Sequence, residues 1–131
     1  MFIDASALTA MMTDENDAAE LLARMQRYAT RLTSPLAAWE ATVAIARILA
    51  LPHEEAKQAV VEYLALMEIE MIAIPPDAFG IALDAFRAYG KGNHPARLNF
   101  ADCFSYACAR HHGVPLMFKG ADFTKTDIEA A

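Results

Sequence analysis

The chain reads as an α/β protein, with a mostly parallel sheet covered by helices on both faces. Three observations lead there. Short apolar runs alternate with longer stretches of helical spacing along residues 1–131. No repeat, low-complexity run or Pro/Gly/Ser linker interrupts them, so a single domain 1–131 is expected. A hydrophobic fraction of 56% is enough to bury a sheet on both sides.

Met1 to Ile3 is a short apolar strand that ends in Asp4, and Ala5 to Met12 follows as a short helix. Asp14 to Thr30 carries Ala18, Leu21, Leu22, Met25 and Tyr28 on one helical face. Leu32-Thr33 is a β-leaning link. Ser34-Pro35 starts a helix, with Ser as N-cap and Pro in the first helical position. It runs to about Leu51, where Pro52 stops it. Glu54 to Met67 is helical. Ile69 to Ile74 is a strand closed by Pro75-Pro76. Asp77 to Tyr89 is a helix that stops at Gly90-Lys91-Gly92-Asn93. Asn99 to His112 is a helix that stops at Gly113. Val114 to Phe118 is an apolar strand, Ala121 to Asp127 a turn, and Ile128 onward a short final strand.

In a parallel sheet the ligand site lies beyond the carboxyl ends of the strands. Acids stand there. Asp4 follows the first strand and is also placed to cap the next helix. Asp102 stands three residues after Asn99, in the pattern of a capping box. Asp122 follows the last clear strand, beside Gly120, where a turn aspartate is equally expected. Glu40 lies inside a helix near Trp39, Val43 and Ala46, where a carboxylate pays desolvation unless it is paired or liganded. Arg47 shares its side of the helix two turns away, beyond a simple ion pair. Carboxylates that converge raise one another's pKa, and a hard divalent cation resolves the repulsion. An oxygen-only set points to magnesium, or manganese. Zinc is disfavoured, because His53, His94, His111 and His112 have no ligand spacing to one another or to the cysteines. His111-His112 reads as a cap on the helix C-terminus.

The net charge is −6 and the pI about 5.1, which argues against loose, charge-driven nucleic-acid binding. Any RNA contact then depends on local cations. Lys91, His94, Arg97 and Lys119 are the candidates, while Arg24, Arg27 and Arg31 read as a solvated helix face. Cys103 and Cys108 are spaced onto different helix faces and read as buried thiols. No Gly-x-Ser-x-Gly or Gly-rich phosphate loop is present. No stretch reads as a membrane span. The opening Met1-Phe2-Ile3-Asp4 lacks a basic leader, so a cytoplasmic location is expected.

These residues resemble a known family. Asp4-Ala5-Ser6-Ala7-Leu8 is similar to the opening of a PIN domain, and Trp39-Glu40 to its helix-borne glutamate. The segment from Tyr89 through His94-Pro95-Ala96-Arg97-Leu98-Asn99 to Asp102-Cys103 resembles the approach to the third acid of VapC-type toxins. Phe118-Lys119-Gly120-Ala121-Asp122-Phe123 with Thr126-Asp127-Ile128 resembles their C-terminal motif, except that Ala121 stands where many relatives carry another acid. The resemblance implies a twisted parallel sheet in a three-layer α/β/α fold, often as a homodimer. It implies a magnesium-dependent endoribonuclease acting on tRNA or messenger RNA, and a VapB-type antitoxin that covers the acidic site. Asp4, Glu40, Asp102 and Asp122 would then be the catalytic and metal-holding residues, with Ser6 and Asn99 orienting them. Other readings remain: a PIN-like module that binds RNA or protein without cutting, or an acid pocket of receiver or phosphatase type. The intact acid set counts against the first. Ser6, where a haloacid-type phosphatase carries a second aspartate, counts against the second.

Overall fold

The computed structural model describes all residues, 1–131. Four strands form one sheet: β1 (Phe2–Ile3), β2 (Leu32–Thr33), β3 (Glu70–Met71) and β4 (Leu116–Met117). Their order is β3-β2-β1-β4 and every pairing is parallel. The six helices are α1 (Ala5–Met12), α2 (Ala18–Met25), α3 (Pro35–Leu49), α4 (His53–Leu66), α5 (Ala78–Tyr89) and α6 (Phe100–His112). A short 3₁₀ turn spans Phe123–Lys125.

Side-chain alternation along the strands creates two cores. Ile3 and Met117 face the core that also holds Leu8, Leu21, Ile45 and Val60 from α1, α2, α3 and α4. Phe2, Leu32 and Leu116 face the other, with Ala82 of α5 and Tyr106 of α6. The three-layer arrangement expected from the sequence is therefore present. Each large apolar side chain withdrawn from water contributes about 1.5–3 kcal/mol, so two-residue strands suffice when both faces are covered.

The chain runs β1, β2, β3 toward one edge and then returns to place β4 on the other side of β1. The order thus switches between β1 and β4, and the crevice there opens at the strands' carboxyl ends. Asp4 leaves β1 at this point, and its amide donates to the Met117 carbonyl at 2.9 Å.

Several boundaries differ from expectation. The helix expected over Asp14 to Thr30 is only Ala18–Met25, because Asp14 turns into the left-handed region at φ 52°. Ala50 does the same at φ 53° and ends α3 at Leu49. The strand expected over Ile69 to Ile74 pairs only at Glu70 and Met71, on the exposed edge of the sheet. The final strand reduces to one bridge between Leu116 and Ala130. Of the arginine row, Arg27 is exposed, but Arg24 and Arg31 are engaged within the fold. Arg24 donates to the Ala131 carbonyl, and Arg31 donates to the Tyr28 and Met67 carbonyls at 3.0 and 2.8 Å. The end of α6 is closed by Gly113 at φ 61°, while His111 instead reaches Asp77 Oδ2 at 2.8 Å, at the start of α5. Both cysteines are buried free thiols, as expected.

Candidate active site

The site forms where β1, α1, α3, α6 and the segment after β4 meet. Asp4 is the N-cap of α1 and is only 2% exposed. Its Oδ2 accepts from the Ser6 amide at 2.9 Å and from the Ser6 hydroxyl at 2.6 Å. Ser6 Oγ in turn accepts from the Lys119 amide at 3.0 Å, which ties the end of β4 to the start of α1. One oxygen of Asp4 is thereby fixed. The other, Oδ1, is buried and has no hydrogen-bond partner. An unpartnered buried carboxylate oxygen is costly, and a bound cation removes that cost.

Asp102 stands at the third position of α6. Asn99 and Asp102 form a reciprocal capping box: Asn99 N donates to Asp102 Oδ2 at 2.7 Å, and Asp102 N donates to Asn99 Oδ1 at 3.0 Å. The capping box expected of Asn99 is present, and the same hydrogen bond holds one oxygen of the Asp102 carboxylate. Glu40 comes from the second turn of α3, a helix started by Ser34, whose Oγ accepts from the Ala37 amide at 3.2 Å.

Asp4, Ser6, Glu40, Asn99 and Asp102 line one cavity of about 470 Å³, together with Thr9, Glu15, Arg47 and Lys119. Burial, and then the charges of Asp4 and Asp102, push the Glu40 carboxyl up to about 7. Burial chiefly raises Asp102 to about 6, helped by Asp4 and Asp122 and opposed by the hydrogen bond from Asn99. Both carboxyls are thus raised toward neutrality, chiefly by burial and then by the neighbouring acids.

No group of three His, Cys, Asp or Glu side chains is placed to hold a metal ion together. The pair of carboxylates from Asp4 and Asp102 in one cavity fits magnesium, which keeps several of its waters and takes one or two carboxylates. It does not fit a structural zinc site, which closes four ligands around the ion.

The other candidates fall in different places. Asp122 is exposed, lies outside the cavity lining and acts on Asp102 through its charge. Lys91, His94 and Arg97 sit in the loop between α5 and α6, and none lines the cavity. His94 Nδ1 accepts from the Ala96 amide at 3.1 Å, and its ring meets the edge of Tyr89 at 5.4 Å. Lys119 does line the cavity, but its ammonium is already held by Glu15 and lies 3.3 Å from Asp17. Three polar lining residues, Thr9, Glu15 and Arg47, were not among the candidate site residues. Glu15 lies in an acid-rich turn with no periodicity, and Thr9 resembles any buried helix residue. Arg47 did carry a signal, since it shares a helix face with Glu40.

The model of the PIN domain family matches residues 1–129. Ribonuclease VapC30 of Mycobacterium tuberculosis is 39% identical over 128 residues, covering 98% of this chain and 95% of its own. Ribonuclease VapC of Mycolicibacterium smegmatis is 38% identical over 130 residues, covering 99% and 98%. VapC ribonuclease R02377 of Rhizobium meliloti is 33% identical over 139 residues, covering 97% and 98%. The crystal structure of Mycobacterium tuberculosis VapC20, described as a Sarcin-Ricin loop cleaving toxin, superposes with a TM-score of 0.76 at 16% identity, covering 99% of this chain and 97% of that one, and so bears on the fold. With the family model spanning nearly every residue and full-length relatives above one-third identity, the chain belongs to the PIN-domain family, among its VapC-type members.

Proposed function

We propose that this protein is a magnesium-dependent endoribonuclease, the toxin of a VapBC-type pair, which hydrolyses RNA phosphodiester bonds at the Asp4–Glu40–Asp102 cavity. The observation that carries this reading is the buried, unpartnered Oδ1 of Asp4, a residue that lines the same cavity as Glu40 and Asp102, whose carboxyls are raised by burial and by the neighbouring acids. Asp4 and Asp102 would hold the cation, with Glu40 completing the set and Asp122 adding negative field from the rim. When bound, magnesium (or manganese) supplies Lewis acidity toward a phosphoryl oxygen and toward water.

The chain's own residues do the rest. Ser6 holds Oδ2 of Asp4 and leaves Oδ1 without a partner, and Asn99 holds the Asp102 carboxylate through its backbone amide. Glu40 would reach the cation through one of its waters.

The substrate of this reading is tRNA or messenger RNA, and a VapB-type antitoxin covers the cavity. A cytoplasmic location goes with this reading, and no helix is long and apolar enough to cross a membrane. The face between α5 and α6 supports a homodimer. Phe79, Leu83, Phe86, Phe100 and Phe104 line an entirely apolar groove of about 390 Å³ there, and Phe79 and Phe100 are 71% and 66% exposed. A contiguous apolar face of this kind is suited to contact with another protein surface.

Expression with and without Asp4→Ala tests the reading. Growth inhibition by the wild type, lost in a variant that folds with unchanged circular dichroism, is the expected result. Full inhibition by Asp4→Ala would refute the site. A folded wild type that binds RNA yet never cleaves it would instead favour the non-catalytic module.

A further inference from the structure

The cavity must admit a polyanion although four acids, Asp4, Glu15, Glu40 and Asp102, line it. A phosphate backbone approaching such a field needs a cation of the protein's own. Two cationic side chains line the cavity, Lys119 and Arg47. They are not equivalent. Lys119 is claimed by Glu15 and lies 3.3 Å from Asp17, so its charge is spent within the protein. Arg47 is exposed and forms no salt bridge and no side-chain hydrogen bond.

The placement of Arg47 follows from helix geometry. Glu40, Ala44, Arg47 and Ile48 all line the cavity and share one face of α3 at i, i+4, i+7 and i+8. Seven residues advance about 10 Å along a helix axis. Arg47 therefore stands about two helical turns from Glu40 on the same wall of the cavity, and is exposed to solvent. Its planar donor fork suits phosphate oxygens, and Ala44 between it and Glu40 leaves the approach clear.

We propose that Arg47 binds a phosphate of the RNA strand next to the one being cleaved, and is the cation that admits substrate to this acidic cavity. The inference rests on the ribonuclease reading above. Arg47 takes no part in bond breaking, so it acts on binding: KM rises without it and kcat stays nearly unchanged.

The test uses the full-length protein and a fluorescein-labelled single-stranded RNA of mixed sequence. Binding is followed by anisotropy over a salt series, with calcium in place of magnesium. Arg47→Ala is expected to weaken binding by about five- to tenfold and to reduce the slope of log K against log salt by about 0.7. Arg47→Lys restores most of the affinity. Arg27→Ala removes the same charge from an exposed residue outside the cavity and leaves both quantities unchanged. Ala is a better helix former than Arg, so Arg47→Ala does not endanger α3. Arg47→Ala behaving like Arg27→Ala, in affinity and salt slope, overturns the inference while leaving the ribonuclease reading intact. A wild type that neither binds nor cleaves RNA overturns both.

Discussion

Asp4 divides its work between two oxygens. Oδ2 caps α1 through the Ser6 amide, and Oδ1 is left buried without a hydrogen-bond partner. Capping therefore accounts for one oxygen of this carboxylate and leaves the other for the proposed cation. Glu40 carries a consequence for stability. Its folded carboxyl titrates at about 7 against an ordinary 4.5, and Asp102 at about 6 against 3.8. The folded state therefore binds more protons than the unfolded chain through this window, and stability falls as pH rises across it. In EDTA, the melting temperature is expected to be lower at about pH 8 than at about pH 5.5. Glu40→Gln should flatten that dependence, and magnesium should restore stability at the alkaline end. Thermal denaturation of both proteins checks this, and an unchanged pH slope in Glu40→Gln would contradict it. Asp4, Glu40 and Asp102 were legible in the sequence because each sits where an element begins or where an apolar helix has no other use for a charge. The engagement of Lys119 with Glu15 and Asp17 was not legible, since it joins residues about a hundred positions apart.

Helix ends do much of the positioning. The Asn99–Asp102 box starts α6 and aims Asp102, and both residues were readable from their spacing alone. The end of α5 is set by Gly90. A Cβ there would meet the Phe86 carbonyl oxygen at 2.3 Å, a backbone atom that cannot step aside. Gly90→Ala is expected to cost about 1–3 kcal/mol. It should also move the Gly90–Leu98 bridge that frames the approach to Asn99. Chemical denaturation measures the loss, and a change within error would refute the steric account. Strand limits were less legible than helix ends. Two residues are too few to display the alternation of a pleat, so Ile69 to Ile74 and Val114 to Phe118 announce strands without showing how little of each pairs. The shortness of α2 was hidden because Ala18, Leu21 and Met25 keep their helical spacing regardless of what Asp14 does.

The strand order β3-β2-β1-β4 is what makes one site of residues spread from Asp4 to Lys119. It brings the ends of β1 and β4 side by side, with α3 and α6 delivering Glu40 and Asp102 to the crevice between them. An alternating β/α pattern implied a parallel sheet, but not which strands would be neighbours. That order follows from which faces each helix covers, a property of the packed whole. The same packing leaves the α5–α6 face apolar and exposed, opposite in character to the acidic cavity. The measurement that bears most directly on the whole account is cleavage of total cellular RNA by the purified protein, in magnesium or in EDTA, beside Asp102→Asn. Magnesium-dependent cutting of a few discrete RNAs, absent in EDTA and in Asp102→Asn, is the predicted result. Cleavage that persists in Asp102→Asn, or none by a folded, antitoxin-free wild type with magnesium or manganese, would contradict it.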